Sequence, residues 1–322
     1  MRRSLASVLA LLLAAAAAFG LFAGCGQDPQ TGGQTGSQTG PQTGTEGQGP
    51  QTGGQDEETP FYLEDDGMLN VLCIGNSFSN DAMSEAAPIA AALGVPQAHF
   101  AVLYIGGCTL AMHASNARRD AAAYELYVYE NGVRSILPGW SIAAALAERS
   151  WDVVSMQQSS GQSGIESSYE DLDYLVGYVR ERAPQAKPVW HMTWAYQGGY
   201  GDPEFSNYGN DQQAMYESIV RAVQSVVAPR TDFWKIVPTG TAVQNARTSW
   251  VGDAFTIDGR HLSLLGRYTA GLTFLHSLTG KPVRGIAYRP SGVAADEAVM
   301  AAEAAEDAVS SPFAVTPSDY PV

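Results

Sequence analysis

Short apolar runs recur along the chain, each closed by small or polar residues and followed by a stretch with helical spacing. Met68 to Ile74 is the first, and it ends in Gly75-Asn76-Ser77-Phe78-Ser79 before a helical pattern from Ser84 to Leu93. Further runs lie at Phe100 to Ile105, Val153 to Met156, Pro188 to Met192 and Phe233 to Val237. Between them the spacing predicts helices over Ser141 to Glu148, Tyr169 to Arg182 and Gln212 to Val227, and a last one over Ser263 to Leu278 that stops at Gly280 and Pro282. The apolar runs are too short for helices and too uniformly apolar for strands with one wet face. Alternating with helices, they predict a mostly parallel central sheet of about five strands covered on both faces, a three-layer α/β/α flavodoxin-like sandwich.

Two stretches break this alternation. Glu125 to Ile136 carries a hairpin signal centred on Asn131-Gly132, and Gln197 to Asn210 reads as a long loop. Either can wall a substrate cleft or merely decorate the surface. An alanine-rich, helix-prone segment follows the main pattern, so residues 61–290 are set apart as the domain and 291–322 as a C-terminal tail without assigned function.

The first 60 residues are not expected to belong to a folded domain. Arg2 and Arg3 precede an uncharged, Ala- and Leu-rich run that ends in Leu21-Phe22-Ala23-Gly24-Cys25. A positive start, an apolar middle and small residues at the exit resemble a bacterial lipoprotein signal over 1–24, with Cys25 as the lipid attachment site. The run is also long enough to be an uncleaved membrane anchor. Residues 25–60 are mostly Gly, Gln, Thr and Pro, with Gln-Thr-Gly repeated from Gln30 onward. Such a segment cannot bury enough apolar surface to offset its ordering entropy, and about 35 such residues span about 30–35 Å as a flexible tether. The acidic residues Asp56, Glu57, Glu58, Glu64, Asp65 and Asp66 close it and are expected to form a solvated face.

Charge narrows the partners. With 18 Lys and Arg against 33 Asp and Glu the chain carries a formal net charge of −15, and loss of Arg2 and Arg3 with the signal makes it more negative. Attraction to nucleic acid is thereby excluded as a function, and the expected membrane link is the lipid on Cys25 rather than basic residues.

In an open α/β sheet, ligands bind beyond the carboxyl ends of the strands. There stand Gly75-Asn76-Ser77, Gly106-Gly107-Cys108-Thr109 and Gln157-Gln158-Ser159-Ser160, with Asp258-Gly259-Arg260-His261 ahead of the last helix. A serine hydroxyl needs a base within reach, histidine suits that role near neutral pH, and a carboxylate must fix the imidazole. Asp258 and His261, three residues apart, can supply both partners to Ser77. Backbone N–H groups of Ser77 and Gly107 are candidate donors to an oxyanion. The Gly-Asn-Ser turn taken alone equally suits a phosphate cradle, although such a cradle has no need of a histidine base.

Taken in order, Ile74 to Ser79, Ile105 to Thr109 and Asp258-x-x-His261 resemble the motif blocks of the SGNH, or GDSL-like, hydrolases. Thr239 to Arg247 and His261-Leu262-Ser263 further resemble a bacterial lipoprotein branch of that superfamily. The resemblance implies Ser77 as nucleophile, His261 as base, Asp258 as its orienter and Gly107 as an oxyanion donor. The superfamily's third block ends in Gly-x-Asn-Asp, where the Asn donates to the oxyanion. This chain has Gln157-Gln158-Ser159-Ser160 there, and a Gln157 or Gln158 amide is expected to substitute.

The expected activity is that of an extracytoplasmic serine esterase, needing neither metal nor organic cofactor. Its substrate is an acylated carbohydrate or another small ester, with acetyl as the acyl group, and its activity falls as His261 protonates below roughly pH 6. A tethered glycan-binding protein with a degenerate triad, and a lipid or thioester acyl hydrolase, are the alternatives. His191 can line the cleft or end its strand as a structural residue. His99, His113 and His276 stand in no paired context, and no ligand spacing supports a metal site. Trp190, Trp194, Tyr196 and Tyr200 can form a sugar platform or lie in the core. Cys73 and Cys108 are expected to be two buried thiols.

Overall fold

In a computed structural model the chain is described over residues 68–95, 97–130 and 133–321, all within one compact unit, Glu57–Val322. The signal segment 1–24, Cys25, the 25–60 tether, the acidic residues that close it and the Asn131-Gly132 turn lie outside the described residues.

Five apolar runs form parallel strands: β1 (Met68–Gly75), β2 (Gln97–Tyr104), β5 (Val153–Met156), β6 (Lys187–His191) and β7 (Lys235–Val237). β1 and β5 are almost wholly buried, which is why their sequences do not alternate. The predicted hairpin is present as β3 (Tyr124–Glu130) and β4 (Val133–Trp140), paired antiparallel through Glu130 and Val133. β3 joins the edge at β2, so the sheet has seven strands in the order β4-β3-β2-β1-β5-β6-β7. The two strands beyond the expected five are those of the hairpin.

The helices are α1 (Ser77–Met83), α2 (Ala86–Ala92), α3 (Leu110–Arg118), α4 (Ile142–Ala147), α5 (Leu172–Arg182), α6 (Gln212–Ala222), α7 (Thr239–Ala246), α8 (Leu264–Thr279) and α9 (Ala295–Ser310). Eight of them fall into two packed groups: α1, α2, α7 and α9 contact α8, while α3, α4 and α5 contact one another; α6 contacts α7. Three of these helices went beyond the hydrophobic pattern. α1 begins at Ser77 itself, seven residues before the predicted helix, because the Asn76 carboxamide caps it by accepting from the Phe78 N–H. α3 is capped in the same way by Thr109. α7 is buried along its whole length.

The segment 291–322 is not detached from the domain. Helix α9 buries Met300, Ala301, Ala302, Ala304, Ala305 and Ala308 against α7 and α8. The coil after it returns to α7, with Thr316 N–H donating to Asn245 and Thr241 to the Pro312 carbonyl. Among the described residues, no helix is long and apolar enough to cross a membrane.

Candidate active site

Strand β1 lies between β2 and β5, so the strand order reverses at its carboxyl end, the place where ligands bind in open α/β sheets. Ser77, the first residue of α1, stands at that end. The Asp258-to-His261 segment reaches the same place from the far end of the chain. His261 Nε2 lies 2.9 Å from Ser77 Oγ, across 184 residues of sequence, and His261 Nδ1 lies 2.6 Å from Asp258 Oδ2. Ser77 is half-buried, and the His261 and Asp258 side chains are 24% and 44% exposed, so a substrate can reach all three.

The turn that presents His261 is built from its own carboxylate. Asp258 Oδ1 accepts from the N–H groups of Arg260 and His261, while its Oδ2 takes the ring. Gly259 has φ +96°, and a Cβ there would run into the Tyr200 ring, so both backbone and space require glycine. Burial opposes ionisation of Asp258. The hydrogen bonds from the His261 ring and from the two backbone N–H groups outweigh it and hold the carboxyl at about 2. An ionised Asp258 fixes the tautomer with the proton on Nδ1, which leaves Nε2 free to accept from the serine hydroxyl.

Aromatic residues brace this arrangement from behind. Phe78 stacks on Trp194 at 4.0 Å between centroids and meets the edge of His261 at 6.3 Å. Trp194 Nε1 donates to the Arg260 carbonyl at 2.7 Å. Trp190, Trp194 and Tyr196 are each at most 1% exposed, so they are core residues and not a sugar platform; Tyr200, half-buried, covers Gly259.

On the oxyanion side, Gly107 sits exposed at φ +64° in the turn after β2. Among the described residues neither its N–H nor that of Ser77 has a hydrogen-bond partner, so both are free to donate. The expectation for the third block is corrected. Gln157 donates to Asn76 Oδ1 at 2.9 Å and to the Gln158 carbonyl, while its own Oε1 accepts from Ser79 and from His191. Gln158 donates to Ser168 twice and accepts from the N–H groups of Leu110 and Ser159. Both amides are 1% exposed and their N–H groups are consumed by the scaffold, so neither has a donor left for an oxyanion. What Gln157 does instead is hold Asn76, the cap of the helix that begins at Ser77.

His191 belongs to this same buried network. Burial pushes its imidazole down to about 3, so it is neutral and donates Nδ1–H to Gln157. His99, His113 and His276 pair with Glu130, Tyr124 and the Lys281 carbonyl, away from Ser77. Cys73 and Cys108 are free, buried thiols that burial pushes up to about 12.

Asp81 is a site residue that the sequence pattern did not single out. Its Oδ2 accepts from the Leu262 N–H at 2.8 Å and its Oδ1 from Arg267 Nε at 3.0 Å. Burial raises its carboxyl above the ordinary value, offset in part by the Arg267 guanidinium, the Leu262 N–H and His261. The signal in the sequence is a carboxylate four residues after Ser77 in a helix that turns out to be almost wholly buried.

Residues 70–308 match the family model described as "Domain of unknown function (DUF4886)". A crystal structure of a DUF4886 family protein from Bacteroides uniformis is 40% identical, with a TM-score of 0.74, covering 77% of this chain and 97% of that one. More distant in structure are a candidate SGNH hydrolase from Slackia heliotrinireducens, at 20% identity and TM-score 0.44, and a catalytic mutant of an acetylxylan esterase from Geobacillus stearothermophilus, at 16% and 0.41. The first covers 66% of this chain and 99% of that one, the second 65% and 94%. Among curated proteins none matches the sequence.

Proposed function

The chain belongs to the DUF4886 family, and from that premise we propose that it is a serine esterase that removes small acyl groups, acetyl foremost, from carbohydrate outside the cytoplasm. The observation that carries the reading is the chain of contacts from Asp258 through His261 to Ser77, at 2.6 and 2.9 Å.

Ser77 Oγ attacks the ester carbonyl while His261 Nε2 takes its proton, and Asp258 stabilises the imidazolium that forms. Negative charge developing on the carbonyl oxygen meets the N–H groups of Ser77 and Gly107. Two donors without a third side-chain amide make this a sparse oxyanion site, and turnover is expected to be modest. His261 then returns the proton to the leaving alcohol, breaking the C–O bond and leaving an acyl-Ser77. Water, deprotonated by the same imidazole, hydrolyses that ester and restores the serine.

Support for a sugar alcohol as leaving group comes from the edge of the sheet. Tyr104, the last residue of β2, stacks on Tyr127 of β3 at 4.6 Å, with the Arg134 guanidinium 5.0 Å from the other ring. The Tyr104 hydroxyl lies 3.4 Å from where a Cβ of Gly106 would stand, beside the Gly107 donor. Both rings are half-buried, giving an aromatic wall beside the Gly106-Gly107 turn, of the kind that packs against sugar faces. Lipid attachment at Cys25 and the 25–60 tether would place the enzyme on the outer side of a membrane, within reach of surface glycans.

The test is phosphonylation of the full chain with a fluorophosphonate, followed by peptide mass mapping. The label is expected on Ser77 alone, and Ser77→Ala is expected to lower hydrolysis of chromogenic acetate esters by about four to six orders of magnitude without loss of folding. Turnover independent of Ser77, or none at all, would instead favour the glycan-binding reading. A preference for long acyl chains over acetate would favour a lipid acyl hydrolase.

A further inference from the structure

The 2.9 Å contact between Ser77 and His261 joins two segments that the chain does not hold together locally, and something must fix their spacing. The His261 segment is tied on one side to the stretch after β6: Trp194 Nε1 donates to the Arg260 carbonyl and the Gln197 N–H to the Gly259 carbonyl. On the other side, besides the Ser77–His261 contact itself, a side-chain bond to α1 runs from the N–H of Leu262, the residue next to His261, to Asp81 Oδ2. Asp81 is one helical turn from Ser77, so its carboxylate and the nucleophile move with the same rigid element. Its second oxygen accepts from Arg267 in the first turn of α8, whose start follows directly on the His261 segment.

Building on the esterase reading, we propose that Asp81 is the positioning residue that sets the distance and angle between Ser77 and His261, acting through the Leu262 N–H and held in place by Arg267. It touches neither substrate nor reacting atoms. Both oxygens are needed as acceptors, because each faces an N–H donor. An asparagine in its place would aim an NH₂ at one of those donors and leave a donor–donor pair in a site only 1% exposed. The His261 segment would then shift relative to α1. A displacement of about 1 Å at the reacting atoms is enough to cost about 10²-fold in rate. Asp81 also adds a buried negative charge near His261, alongside Asp258, where the imidazolium forms during turnover.

The experiment compares the full chain as wild type, Asp81→Asn, Arg267→Gln and Ser77→Ala, using an aryl acetate and counting reactive sites by fluorophosphonate titration. Expected for Asp81→Asn is a fall of about 10²-fold in kcat per titrated site, with KM within about threefold of wild type. A merely structural role would lower the number of titratable sites and the melting temperature while leaving kcat per site intact, and kcat within about twofold of wild type overturns the proposal. Should Asp81→Asn fail to fold, Arg267→Gln decides, since the Arg267 side chain is 32% exposed and more tolerant of change. It is expected to lower kcat per site about tenfold by loosening Asp81, and an unchanged value overturns the proposal. Absence of Ser77-dependent labelling in the wild type removes the esterase reading and this role with it, whereas a Ser77-dependent wild type with an unimpaired Asp81→Asn overturns the positioning role alone.

Discussion

Asp258 spends both carboxylate oxygens on one turn: Oδ1 on two backbone N–H groups, Oδ2 on the His261 ring. Replacing it with Asn removes the anion that selects the productive tautomer and is expected to lower kcat by about 10⁴-fold, measured with acetate esters at saturating substrate. The sign of its pH dependence follows from the depressed carboxyl. A group held at about 2 in the fold favours the native state above its unfolded value and loses that contribution as the pH falls toward about 2. Asp258 therefore stays ionised throughout the range in which an esterase is assayed. The pH–rate profile with an acetate ester is therefore expected to show no step belonging to Asp258 above about pH 4. A step above that pH that Asp258→Asn abolishes would refute the depressed carboxyl. At this scale Ser77, His261 and Asp258 were legible in the sequence because their chemistry is rare and their motifs are short. It concealed Asp81 and misassigned Gln157 and Gln158, because an amide or a carboxylate reads the same whether it faces a cleft or a scaffold. Only the partners of each oxygen and N–H distinguish the two.

Among the elements, the strands and the longer helices were legible because burial on both faces leaves uninterrupted apolar runs and burial on one face leaves a 3.6-residue period. Asn131-Gly132 announced the hairpin through its turn chemistry, although the position of β3 beside β2 at the sheet edge was not predictable from it. The helix that carries Ser77 was masked by Asn76, Ser77 and Ser79, which favour turns as readily as helix ends. Helix α7 was hidden for a different reason. Thr239 to Arg247 resembled a motif, yet its residues serve close packing: the Gly240 N–H donates to the Met192 carbonyl, and a Cβ on Gly240 would stand 2.2 Å from the Thr193 carbonyl oxygen. Gly240→Ala is expected to destabilise the domain by about 1–3 kcal/mol in denaturant unfolding by forcing α7 away from the segment after β6. That segment carries Trp194 and thus the brace on the His261 turn, so the same substitution should also lower turnover per titrated site.

For the molecule as a whole, the boundary placed at 290 divides one core. Helix α9 covers α7 and α8 with a row of alanines and Met300, and Glu303 accepts from the Asp319 N–H in the final coil. A chain ending at residue 290 exposes that apolar surface and is expected to lose cooperative unfolding or to aggregate, by circular dichroism melting and size-exclusion chromatography. A truncated chain that melts as the full one does would refute the integral role of α9. Cys73 and Cys108, buried and pushed up to about 12, are expected to resist thiol reagents until the domain unfolds.

The sequence by itself determined the class of fold, the five parallel strands and the three side chains that meet around one hydroxyl, because burial period and rare chemical groups are local properties that survive in a linear record. The tertiary structure decided the rest: that the hairpin extends the sheet, that α9 completes the core, that two glutamines hold the scaffold, and that Asp81 links the helix of Ser77 to the segment of His261. Each of these depends on which donor meets which acceptor across a long stretch of chain, and a polar residue carries no mark of its distant partner until the backbone brings the two together.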